Sequence, residues 1–225
     1  MSKSSGYISR IIVMFFMSMM VYFPGNADAI SMINNGFETG DFTGWSVFNY
    51  EGGEAIVVNS FDACNSPGCA SPTTYDPKEG AWFAALKTGT NVNGNQALTS
   101  IALNVDLLGG GTGKISGWAA FDGGDYMPYN DSAFVTITRL NGSNPAGPTY
   151  TPWFEDIASN GSYGNTPWVK WSWEAPVTGT YTISMGILND RDGLFPSWAL
   201  FDGFTAVPEP SILLLLGSGL LGFGL

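Results

Sequence analysis

Histidine is absent from this 225-residue chain, lysine and arginine together number 8, and cysteine occurs only 2 times. The first absence removes Ser-His-Asp and Cys-His nucleophile activation, imidazole general bases and the common zinc sites. The shortage of basic residues leaves a formal net charge of -11. A balance of that sign repels phosphate backbones, so no nucleic acid partner is expected, whereas calcium suits it. Helical periodicity is missing as well: no window from 30 to 206 repeats its apolar residues every 3.6 positions. Carboxylate-pair chemistry survives these exclusions, because a glycosidase needs only two Asp or Glu side chains. A carbohydrate-active enzyme of that kind is the remote reading; the leading one is non-enzymatic.

What is present begins with two terminal signals. Lys3 and Arg10 precede an apolar run from Ile11 to Phe23, and Ala27-Asp28-Ala29 supplies an A-x-A cleavage site. This predicts a signal peptide over 1–29 and an oxidising destination. At the other end Val207-Pro208-Glu209-Pro210 is followed by an apolar stretch from Ser211 to Leu225. That arrangement resembles the PEP-CTERM sorting signal of exopolysaccharide-producing Gram-negative bacteria, a segment also called the ice-binding protein C-terminal domain. The resemblance implies a sorting motif at Pro208, Glu209 and Pro210 with an exosortase as the processing partner. It also implies transient anchoring in the inner membrane by a hydrophobic helix, then release to the cell surface or extracellular matrix. The family's terminal Arg/Lys cluster has no counterpart after Arg191, and the apolar stretch is short of the roughly 20 residues that cross a bilayer. We therefore expect 207–225 to hold a truncated membrane helix.

Between the signals, 30–206 has the length of one ordinary domain. Tyr181, Ile183, Met185 and Ile187 alternate with Thr180, Thr182, Ser184 and Gly186, the period-2 pattern of a half-buried strand. Val169/Trp171/Trp173, Val135/Ile137, Ile101/Leu103/Val105 and Ile115/Gly117/Ala119/Phe121 repeat it. The runs Glu54–Asn59, Ala81–Lys87 and Trp198–Thr205 add three more strands, with Gly, Pro and Asn clusters between them. Pro176-Val177-Thr178-Gly179 reads as the turn of a hairpin joining the Trp171 and Tyr181 strands. Short strands at this spacing predict an all-β sandwich, a jelly roll in preference to an immunoglobulin-like form. Cys64 and Cys69 are expected to close a small disulfide that pins a loop without holding the fold.

The domain opens on Asn35-Gly36-Phe37-Glu38 with Gly44-Trp45 shortly after, and it ends on Trp198-Ala199-Leu200-Phe201-Asp202-Gly203-Phe204. This pairing is similar to the galactose-binding-like jelly rolls, which include carbohydrate-binding modules. The resemblance implies that the first strand lies near the last, and that Glu38 and Asp202 share a structural Ca²⁺ with nearby backbone carbonyls. Physically the alternative is that each carboxylate only binds its own loop. The stretch Asp125-Tyr126-Met127-Pro128-Tyr129-Asn130-Asp131 also looks like a loop of other PEP-CTERM β-proteins. Asp122, Asp125, Asn130 and Asp131, and Asn189, Asp190 and Asp192 farther on, read as turn chemistry in two separate loops, with metal binding as the lesser reading. Tyr126, Tyr129, Tyr150, Trp153 and Tyr163 fall in loop-like sequence. They are the candidates for an exposed platform on which sugar faces stack, as exopolysaccharide binding requires. A purely structural or adhesive surface module without a specific glycan is the alternative.

Overall fold

The computed structural model describes residues 34–63, 73–90, 97–141 and 144–208. The expected signal peptide, Cys64 and Cys69, Glu209, Pro210 and the apolar tail lie outside the described residues. In chain order the elements are β1 (Ser46–Asn49), β2 (Glu54–Val58), β3 (Phe61–Ala63), β4 (Thr73–Tyr75), β5 (Phe83–Lys87), β6 (Ala97–Leu107) and β7 (Gly113–Asp122). Then follow β8 (Ser132–Asn141), β9 (Asn144–Asp156), the one-turn helix α1 (Ile157–Asn160), β10 (Val169–Glu174), β11 (Gly179–Asn189) and β12 (Trp198–Pro208).

Two antiparallel sheets carry the fold, in the orders β1-β6-β11-β8-β9 and β10-β7-β12-β5-β2. The chain passes from one sheet to the other at most connections, as the predicted jelly-roll sandwich requires. Period-2 alternation decides what lies between the layers. From the first sheet Ile101, Val105, Val135, Ile137, Tyr181, Ile183 and Ile187 point inward and are buried. Ile115, Ala119, Phe121, Trp171, Ala199 and Phe201 meet them from the second. Their outward neighbours Asn104, Asp106, Thr180 and Thr182 pair across strands, Thr180 with Asp106 at 2.5 Å and Thr182 with Asn104 at 2.7 Å.

A second, smaller core lies on the outer side of the β12/β5 sheet. There the β3–β4 hairpin covers Phe83, Ala85, Ala120 and Leu200, with Ala63 and Tyr75 as its own buried contribution. Strand β5 is consequently buried on both faces. Trp168 meets Tyr75 and Phe83 edge-on at 5.8 and 5.5 Å, and Phe61 packs on Trp198 at 5.0 Å.

Two sequence expectations are corrected. The segment Pro176–Gly179 does not close a hairpin: β10 pairs with β7, whereas β11 pairs with β6 and β8 in the opposite sheet. The Trp171 and Tyr181 strands face each other across the core instead, with Trp173 and Tyr181 in edge contact at 5.2 Å. Large apolar residues on both strands are better buried between layers than side by side in one. The second correction concerns 144–156, which is strand β9 rather than loop. Pro145, Pro148 and Pro152 hide its pattern, yet β9 is an edge strand, the one place in a sheet where proline costs no ladder hydrogen bond.

Candidate functional site

The two terminal motifs meet, though not as paired strands: β1 pairs with β6. Phe37 is fully buried and stacks on Trp45 at 5.2 Å, and Trp45 contacts Phe204 edge-on at 5.6 Å. Asn34 holds this plug in shape. It accepts from Trp45 Nε1 at 3.0 Å through its carbonyl, and its side chain donates to the Asp41 carbonyl at 2.7 Å. The plug delivers Glu38 and Asp202 to one loop. Glu38 accepts from the backbone N–H of Ala81 at 2.9 Å and of Trp82 at 3.3 Å. Asp202 accepts from Lys78, from Glu79 at 3.0 Å and from its own neighbour Gly203 at 2.6 Å. Burial pushes the Asp202 carboxyl up, these three N–H groups pull it back, and Glu79 adds a repulsive charge.

The donors fix what this corner does as it stands. All four carboxylate oxygens already face N–H groups, so the pair clamps residues 78–82 from both ends. Calcium needs six to eight oxygens. Among the described residues no group of three or more His, Cys, Asp or Glu is arranged to hold a metal. Gly80 shows how tight the clamp is: at φ +68 a Cβ there would lie 2.2 Å from the Glu38 carboxyl carbon.

The five aromatic candidates divide. Trp153 is buried and contacts Phe201 edge-on at 5.8 Å, because its pairing with Val135 in the β8–β9 ladder puts it on the inward face. It is no part of an exposed platform, which corrects the expectation drawn from loop-like sequence. Tyr150 pairs with inward-facing Ile137 and lies against Trp173 at 5.1 Å, half-buried at the core margin. Tyr126, Tyr129 and Tyr163 do come together, at one end of the sandwich. Tyr126 lies 5.4 Å from Tyr129, 5.7 Å from Tyr163 and 6.1 Å from Phe195, a residue that sequence reasoning missed. Phe195 sits three residues before the Trp198 strand with no periodic neighbour, so only the fold could reveal it. Met127 and Leu194 flank the cluster and are exposed.

Beneath these rings the two acidic loops, read separately from sequence, converge. Asp131 and Asn189 each lie one residue beyond the Ser132–Leu188 pair that ends the β8–β11 ladder. Asp131 Oδ1 accepts from the Asp190 N–H at 2.9 Å, and the Asp125 carbonyl accepts from the Tyr163 N–H at 2.8 Å. Asp125 and Asp131 are fully buried. Burial pushes the Asp125 carboxyl up to about 6 and the Asp131 carboxyl up to about 7, with the charge of Asp192 adding to both.

Comparison with known proteins adds the following. No curated protein matches the chain. Among solved structures it is similar to TmCBM61 in complex with β-1,4-galactotriose, at 17% identity and a TM-score of 0.43, covering 78% of this chain and 96% of that one. It is also similar to a carbohydrate-binding module of the β-sandwich superfamily, at 12% identity and a TM-score of 0.44, covering 76% and 60%. A third is the K1 cleaved adhesin domain of Lys-gingipain from Porphyromonas gingivalis W83, at 14% identity and a TM-score of 0.43, covering 77% and 96%. At the C-terminal end, residues 206–225 match the PEP-CTERM protein-sorting motif, so the chain carries an export and sorting signal.

Proposed function

We propose that this chain is a non-enzymatic protein of the cell surface or extracellular matrix, sorted by an exosortase and binding exopolysaccharide at one end of its β-sandwich. The observation that supports glycan binding is the cluster of Tyr126, Tyr129, Tyr163 and Phe195, with the Asp192 carboxylate near Tyr126. Apolar ring faces beside hydroxyl-fixing polar groups are the chemistry that sugars require. Immobilised acidic and neutral polysaccharides should retain the wild-type chain, and Tyr126→Ala with Tyr163→Ala should release it. Retention by no polymer, or equal retention of the variants, refutes the reading.

A second reading, an adhesive or structural module without a specific glycan, is favoured by the ring geometry. Tyr126 and Tyr129 meet at 83°, so the rings brace one another instead of forming a flat row. In that case the variants lose stability but no ligand.

The reading also includes a structural Ca²⁺ shared by Glu38 and Asp202. Its support is that both carboxylates reach residues 78–82; the opposing fact is that their oxygens are already occupied by backbone N–H groups. A melting scan of wild type and Glu38→Gln with and without chelator decides between ion and clamp. An ion at this corner requires a chelator-induced drop in Tm that is smaller in the variant than in wild type.

A further inference from the structure

We propose that Asp125, Asp131 and Asn189 form a calcium site at the aromatic end of the sandwich, separate from the Glu38/Asp202 corner and independent of glycan binding. Asp125 Oδ1 accepts from the Tyr126 N–H at 2.7 Å, and Asp131 Oδ1 from the Asp190 N–H at 2.9 Å. Each carboxylate is thus oriented by a backbone N–H on its Oδ1, with the Ser197 side chain as a further partner of Asp131, while each Oδ2 is buried with no hydrogen-bond partner. Asn189 Oδ1 is in the same condition, and the residue is only 1% exposed. Orphaned buried oxygens are rare, because each forfeits its hydration without replacement. Here three occur on residues that the β8–β11 register and the 125–131 loop place together.

Electrostatics points the same way. Asp125 and Asp131 repel each other, and Asp192 repels both. Among the described residues no Lys or Arg pairs with either buried aspartate. Arg191 turns outward and lies 3.3 Å from Asp190 instead, with its side chain 62% exposed. A bound cation would satisfy the three oxygens and the uncompensated charge at once. The donors are two carboxylates and an amide, with no nitrogen or sulfur, which selects a hard ion. Calcium's flexible shell, completed by loop carbonyls and water, fits better than the strict octahedron of magnesium. Such an ion would tie the 123–131 and 190–197 loops under the Tyr126 cluster.

The test uses the full chain freed of divalent ions. Calcium at a hundredfold excess over its Kd should raise Tm by roughly 5–10 °C. Terbium bound in its place should show luminescence sensitised by the neighbouring tyrosines, displaced by calcium. Both responses should persist in Glu38→Gln and vanish in Asp125→Asn with Asp131→Asn. Asn189→Asp guards against a double variant that does not fold: its added carboxylate should lower Tm without calcium and tighten calcium binding about tenfold. The proposal is overturned if wild type responds to neither ion. It is equally overturned if the response is lost in Glu38→Gln and kept in the double variant, or if Asn189→Asp leaves the affinity unchanged.

Discussion

Gly80 ties the chain's first motif to its last. Glu38 reaches over it to the N–H groups of Ala81 and Trp82, and the positive φ of Gly80 suits few other residues. Gly80→Ala should therefore destabilise the protein by about 1–3 kcal/mol from backbone strain, plus the cost of displacing the carboxylate. Chemical denaturation of Gly80→Ala, Glu38→Ala and the double variant separates the two costs. The penalty should shrink in the Glu38→Ala background; an equal penalty in both means that the carboxylate contact is energetically idle. Sequence showed the identities of Glu38 and Asp202 and brought them to one place by resemblance. It could not show that both would spend their oxygens on the 78–82 backbone, because loop N–H groups leave no mark on residue type.

At the scale of elements, two small pieces are tied down by a few polar contacts each. The β3–β4 hairpin is tied down where the Tyr75 hydroxyl donates to the Thr166 carbonyl, a buried bond across 91 positions of chain. Tyr75→Phe keeps the ring packing and removes that bond, leaving the carbonyl unpaired. Thermal unfolding should register a loss of about 1–2 kcal/mol. Helix α1 is capped by Asp156, which accepts from the Ser159 N–H at 2.8 Å, while Asn130 bridges to Asp156 at 3.1 Å. Burial opposes ionisation of Asp156, but the hydrogen bonds from Ser159 and Asn130 outweigh it and hold the carboxyl below its ordinary 3.8. Its stabilisation is therefore complete above that value and lost as the pH falls through the lower folded one. Asp156→Ala should cost about 1 kcal/mol at neutral pH, and the difference between variant and wild type should close in acid. A constant difference down to pH 2 would rule this out. The long strands were legible because half-buried strands must alternate; β9 was not, since an edge position relaxes the ban on proline.

For the whole molecule, protection should follow sheet position. Strands β11 and β12 are flanked on both sides and carry the innermost side chains, whereas β1, β9, β10 and β2 lie at the edges. Native-state hydrogen exchange should be slowest in the middles of β11 and β12 and fastest in β1. Uniform protection across both sheets would contradict a sandwich stabilised from its centre. By itself the sequence determined the all-β class, the inward faces of the long strands and the terminal sorting signal, because periodicity and a contiguous motif are local properties. Tertiary structure alone decided that β10 and β11 belong to opposite sheets and that Trp153 is core. It also decided that two acidic loops far apart in the chain share one buried end beneath Tyr126 and Tyr163. Those are outcomes of which faces meet, and burial between layers depends on contacts across the whole chain that no local window contains.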